Sequence, residues 1–343
     1  MRHLLHTSFS APRLLFFIGL MLLAFTASAQ YTPDILGKNY VQRTFHMGED
    51  EEGEIVSTLV KRLGNDTSTQ ALLYVHGYND YFFQQAMGDS IAKWGYRFYA
   101  IDLRKYGRSL RDYQDAFYCE SLEEYFADLD SALAVVRQEG AEKVFLMGHS
   151  TGGLITSYYL QERQATAGVD GLILNSPFLD WNFDWWMEKV VLPSIATLGK
   201  YWPRLAVAGE PGNPNYAFSL LKAYKGEWTF RTDWKMPYGH TKRAGWIRAI
   251  HLAQKKLQQG KPLTCPVLVL SSNRSLPETE TWDEAFRSAD IVLDVDDIAH
   301  YGSQLSAQAT YQSVADGLHD LVLSGKAARK QTYSIIHDWI ISK

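Results

Sequence analysis

The sequence is poor in cysteine, in long apolar runs and in any excess of charge of one sign. Only Cys119 and Cys265 occur, which excludes a CxxC redox pair or a cysteine-rich zinc site. They fall on different predicted elements, so spacing alone does not pair them, and two buried free thiols are the simpler expectation. The formal net charge of −4 over 343 residues gives no electrostatic reason to expect nucleic acid or an anionic membrane as partner. The longest apolar run near the start, Leu14–Phe25, is about a dozen residues, short of the ~20 that a helix needs to cross a bilayer. Internal repeats and low-complexity linkers are absent as well.

That short run has the flanks of an export signal. Arg2, His3 and Arg13 precede it, and Thr26-Ala27-Ser28-Ala29-Gln30 supplies small residues where a signal peptidase reads. Residues 1–29 are therefore expected to be a signal peptide cleaved after Ala29, giving a periplasmic or secreted protein. A retained N-terminal anchor is the alternative. No Cys follows the cleavage point, which argues against a lipoprotein.

Past the leader, short β-rich apolar runs alternate with helical patterns, the signature of a mostly parallel, doubly wound sheet. Tyr40–His46 and Glu54–Leu63 alternate apolar and polar residues and read as a hairpin. Later strands, buried on both faces, should be continuously apolar. They are read at Ala71–His76, Arg97–Asp102, Lys143–Met147, Gly171–Asn175, Pro266–Ser271 and Thr310–Val314. Helices are expected over Ser121–Glu139, with Ser121 and Glu124 as a capping box, and over Ala327–Ile341.

About ninety residues between Asn175 and Pro266 hold no strand of this kind but seven of the ten tryptophans. Loops of that length are uncommon unless functional. The expected organisation is an α/β core over 30–180 and 261–343 with an aromatic-rich, largely helical cap over 181–260. Most of its rings should form the cap's own core, and a minority should line a pocket.

The predicted strand Lys143–Met147 runs into Gly148-His149-Ser150-Thr151-Gly152-Gly153 and then into a helical pattern. This is G-x-S-x-G in the strand–turn–helix context that makes a serine a nucleophile. Small residues let strand and helix approach closely, and the helix N-terminus aims N–H groups at a developing oxyanion. The backbone of Thr151 is one expected oxyanion donor. Tyr78, after Tyr74-Val75-His76-Gly77, is the other, with His76 read as bracing that loop. The base must come last in chain order, and His319 lies on the loop after the last strand. His300 and His337 fall in helical patterns and are weaker rivals.

The acid is harder to place. Asn273 stands where an Asp is expected after Pro266–Ser271, and Asn supplies no charge to an imidazolium. Asp294 has the correct chain order, though it also reads as a helix N-cap. Asp180, another nearby carboxylate, or no acid at all remain open.

His76-Gly77-Tyr78, DLRKYGRS at 102–109, GHSTGG at 148–153 and GLHDLVLS at 317–324 together resemble the α/β hydrolases of the serine-aminopeptidase S33 and monoacylglycerol-lipase-like type. Lys105 stands where that pattern has Gly. The resemblance covers 40–343 and implies an α/β-hydrolase fold and cofactor-free, metal-free hydrolysis of a small lipophilic ester through a Ser150 acyl-enzyme, as in a carboxylesterase or lysophospholipase. An S33-type aminopeptidase would need an acidic group for the substrate amino terminus, for which Glu210, Asp180 and Asp184 are available. A non-catalytic binding protein on the same fold is the alternative from a different class.

Overall fold

A computed structural model of the chain describes residues 30–343 apart from 165 and 209–211. The expected signal peptide lies outside the described residues. The strands are β1 (Thr32–Pro33), β2 (Tyr40–Asp50), β3 (Gly53–Arg62), β4 (Gln70–Val75), β5 (Arg97–Asp102), β6 (Lys143–His149), β7 (Gly171–Asn175), β8 (Ala206–Ala208), β9 (Lys242–Arg243), β10 (Val267–Ser272) and β11 (Ala309–Val314). All but β8 and β9 form one sheet in the order β1-β2-β3-β5-β4-β6-β7-β10-β11. From β5 to β11 the pairing is parallel, and the β1-β2-β3 edge is antiparallel.

Burial explains the pattern read in the sequence. β5, β7 and β10 are buried at every position, because helices cover both faces. The helices are α1 (Gln85–Lys93), α2 (Phe126–Gln138), α3 (Thr151–Arg163), α4 (Leu192–Tyr201), α5 (Asn215–Leu220), α6 (Ala244–Gln259), α7 (Val295–Gln304) and α8 (Lys326–Ile341). A 3-10 turn over Leu122–Tyr125 leads into α2, and Ser121 and Glu124 form the capping box at its start. Cys119 and Cys265 are both free thiols.

Between β7 and β10 the chain leaves the sheet. A π-turn over Met187–Val191 continues into α4, while β8 and β9 pair as a small antiparallel ribbon. Helices stand at the two ends of this insert. Between them only the short α5 and the ribbon are regular, because Pro203, Gly212, Pro214, Gly226, Pro237 and Gly239 interrupt longer helical runs. α6 belongs as much to the core as to the insert, since Trp246, Ile250 and Leu257 pack with Leu154 and Tyr158 of α3 in one apolar cluster. The expected minority of the insert's rings lines a pocket, while several others are exposed rather than packed in a core. Trp181, Phe183, Tyr216 and Trp246 line a cavity, but Trp185, Trp186, Tyr201, Trp202, Tyr224 and Tyr238 are exposed.

Candidate active site

The carboxyl ends of β4, β6 and β7 meet beneath the insert, where ligands bind in open parallel sheets. Ser150 sits between β6 and α3 with φ 53° and ψ −120°, a conformation that L-residues rarely adopt. Its surroundings hold it there. Ser150 N donates to Asn175 O at 3.1 Å, and its carbonyl accepts from Gly153, Leu154 and Phe178. A Cβ on Gly152 would lie 2.5 Å from Val75 O, and one on Gly148 would lie 2.5 Å from Gly152 O. Only glycine fits at these two positions of the turn.

His319 follows β11 and is 2% exposed. Its Nδ1 donates to Asp290 Oδ2 at 2.8 Å, and Asp290 is wholly buried. The other oxygen, Asp290 Oδ1, accepts from the N–H groups of Val292 and Leu293 at 2.8 and 2.9 Å. This fixes the imidazole tautomer, leaving Nε2 as the basic nitrogen.

Asp294 is thus not the partner of His319, a correction to the sequence reading. It caps α7, its Oδ1 accepting from Asp296 N at 2.9 Å. Asp290 reaches the site because the chain loops out over 276–289 and returns to pair with the end of β10. Its N–H donates to Arg274 O at 3.0 Å, and its carbonyl accepts from Leu276 N at 2.9 Å. The backbone of Asp290 therefore comes back beside Arg274, the residue after Asn273, while lying well past it in sequence. Asn273 itself steadies the other loop, its Oδ1 accepting from Asp316 N at 3.1 Å. Asp180 lies beside Tyr301 and Gln258, and burial pushes its carboxyl up from the usual range. Asp184 caps the turn at Met187, and Glu210 lies outside the described residues. His300 pairs with Gln304 on the surface of α7, and His337 packs on Trp94.

Ser150, Thr151, Tyr78 and His319 line one cavity of about 320 Å³. Thr151 heads α3, where the first N–H groups have no intrahelical acceptor. Tyr78 packs its ring on Trp246 at 4.4 Å. The next residue, Asn79, clamps the insert: its Nδ2 donates to Met236 O at 2.8 Å and its Oδ1 accepts from Met236 N at 2.7 Å. His76 does brace this loop. Its Nε2 accepts from Leu103 N at 3.1 Å and its Nδ1 donates to Gly77 O at 2.8 Å, while burial lowers its pKa.

Beside the cavity, whose wall includes His149, the side chains of Asp80, His149 and Asp320 bring potential metal-ligand atoms within 4.8 Å of one another. The set fits a charge network better than a cation site. Lys235 Nζ, 3.1 Å from Asp80 Oδ1, already supplies the positive charge. Asp320 is occupied by Asn175 Nδ2 at 2.7 Å, Val322 N at 3.2 Å and Gln84 Nε2 at 3.3 Å. His149 donates from Nδ1 to Asn175 O at 3.0 Å, and burial lowers its pKa. Through Asn175 and Asp320 this network ties the end of β7 to the loop that carries His319.

The DLRKYGRS segment is scaffolding beside the site. Asp102 is wholly buried and holds Phe82 N and Arg108, while Arg104 pairs with Asp128 at 2.6 Å. Lys105 sits at φ 63°, in the left-handed region that the glycine of the pattern suits. Its ammonium lies 2.6 Å from both Asp50 and Glu52, which holds the lysine in that conformation.

A family model described as serine aminopeptidase, S33 matches residues 66–275, more than half of the chain. The chain belongs to the serine aminopeptidase S33 family. Among curated relatives of this family member, AB hydrolase superfamily protein YisY from Bacillus subtilis is 31% identical over 125 residues. That match takes in 36% of this chain, and the chain spans 42% of YisY. Solved structures share the fold. The monoacylglycerol lipase of Paleococcus ferrophilus superposes with a TM-score of 0.57 at 18% identity, covering 89% of this chain and 99% of that one. A soluble variant of the monoglyceride lipase of Saccharomyces cerevisiae, solved with a substrate analog, gives 0.62 at 16% identity, covering 90% and 99%. The S33 chain thus has the α/β-hydrolase fold expected from its motifs.

Proposed function

We propose that this family member is a serine hydrolase that cleaves carboxylic esters of lipophilic substrates. The observation that carries the reading is the buried 2.8 Å bond from His319 to Asp290 in the wall of the cavity that also holds Ser150 on its strained turn. In this mechanism His319 Nε2 takes the Ser150 hydroxyl proton as Oγ attacks the ester carbonyl. Asp290 stabilises the imidazolium that forms. The N–H groups of Tyr78 and Thr151 receive the oxyanion, each contributing roughly 3–4 kcal/mol in the transition state. The imidazolium then protonates the leaving alcohol. Water, activated by the same histidine, releases the acid from the acyl-enzyme.

Trp181, Phe183, Tyr216 and Trp246 in the cavity wall favour an acyl or aryl group over a hydrophilic one. The lipases among the structural neighbours are consistent with that preference. A panel of 4-nitrophenyl esters, monoacylglycerols and amino-acyl amides tests the reading. Ester turnover that falls about 10⁴-fold or more in Ser150→Ala is expected. Turnover confined to the amino-acyl amides would contradict it.

A further inference from the structure

Among the described residues, the cavity wall contains a lysine with no carboxylate in ion-pair contact. Two lysines from the insert line the cavity, Lys235 and Lys242. Lys235 is neutralised by Asp80 at 3.1 Å. Lys242 differs. Among the described residues no carboxylate oxygen lies within 4.0 Å of its ammonium and no side-chain hydrogen bond engages it. Its position follows from the β8–β9 ribbon. Successive residues of a strand face opposite ways, and the neighbouring Arg243 turns to Asp115, with Nε 2.8 Å from Oδ2. Lys242 is left to the cavity side. Glu278 is the acid whose field reaches it, and Glu278 accepts the Tyr216 N–H at 3.2 Å. Partial burial lowers the Lys242 pKa, and the more distant Glu278 only partly opposes that shift.

A half-buried cation with no partner is costly, and an anion brought by a ligand offsets that cost. We propose that Lys242 is a specificity-determining residue that receives an anionic group, carboxylate or phosphate, on the ester that Ser150 attacks. This rests on the ester-hydrolase reading and narrows it. A neutral acylglycerol leaves the lysine unanswered, and a peptide amino terminus is repelled by it.

Matched pairs of substrates test the proposal, each pair measured in the same protein. For an anion on the acyl side, the pair is the mono-4-nitrophenyl ester of glutaric acid against 4-nitrophenyl hexanoate. For an anion on the alcohol side, it is 1-oleoyl lysophosphatidic acid against 1-oleoylglycerol. In the native protein, kcat/KM should favour the charged member of one pair by about tenfold or more, the usual size of a charge-assisted contact. Lys242→Gln should bring that ratio close to one, and Lys242→Arg should largely retain it. The pair that responds shows which side carries the anion. A ratio that is the same in the native protein and in Lys242→Gln overturns the proposal, since any loss of fold cancels within each pair. A binding measurement separates this from failure of the esterase reading. In Ser150→Ala, decyl phosphate should bind more tightly than decanol, and adding Lys242→Gln should remove the difference. Equal binding of the two compounds overturns the proposal whether or not any ester is hydrolysed.

Discussion

At the residue scale, the carboxylate beside His319 separates two acids only four positions apart. Asp290 Oδ1 is committed to two backbone N–H groups, and that commitment sets the outcome of Asp290→Asn. The oxygen of the new amide stays with those donors, so its NH₂ faces His319 Nδ1. Nδ1 must then accept, which moves the ring proton to Nε2, the nitrogen that should act as base. kcat on a 4-nitrophenyl ester should fall about 10³–10⁴-fold while the fold survives. Asp294→Ala should behave oppositely. It removes the cap at Asp296 N, costing about 1 kcal/mol of stability by denaturant titration, with kcat close to native. Equal kinetic losses in the two variants would return Asp294 to the site.

At the element scale, the start of α7 carries a conflict between helix field and neighbouring charge. Asp296 and Asp297 in the first turn suit the positive end of the helix. Yet burial, then Asp294, Asp180 and Glu188, push the Asp297 pKa up to about 6. An acid raised in the folded state binds its proton more tightly there than in the unfolded chain. Its contribution is therefore present below the ordinary carboxylate range and is lost as pH rises through about 6. Asp297→Asn should raise Tm at pH 7 and give no gain below about pH 4, where both states are protonated. A gain of the same size at both pH values would remove charge as the cause.

The central strands were legible because double-sided burial writes continuous apolar runs, as in residues 267–270, whereas β11, expected to be such a strand, is a largely exposed edge. The turn at Ser150 was legible because three local demands, namely strand, glycine and helix, coincide within a few residues. Asp290 was not. Its placement depends on a single bridge between Ser275 and Asp290 after a long excursion, and no periodicity marks such a return. The spare signal was an Asp directly before the apolar Ile291-Val292-Leu293, a run that contact with β10 and α7 buries in part. The exposure of several insert rings was not legible for a related reason. Their abundance suggested a core within the insert, whereas Pro and Gly residues break its helices into short pieces and several rings stay in solvent.

At the scale of the whole molecule, every segment that matters to the chemistry converges on one end of the sheet. β4 brings the Tyr78 loop, β6 brings Ser150, and the loops after β10 and β11 bring Asp290 and His319. The insert closes over them, pinned by Asn79 to Met236 and by Asp80 to Lys235. Buried ion pairs of this kind contribute little net stability, but breaking one is costly, so they fix geometry more than they add energy. Asn175 and Asp320 perform the same task beneath the histidine.

Fluorophosphonate labelling followed by peptide mass spectrometry tests the proposed role of Ser150 and its partners most directly. A single adduct on the peptide carrying Ser150 is expected, absent in Ser150→Ala and formed far more slowly in Asp290→Asn than in Asp294→Asn. An adduct that persists in Ser150→Ala, or no adduct on the folded native protein, would contradict the account.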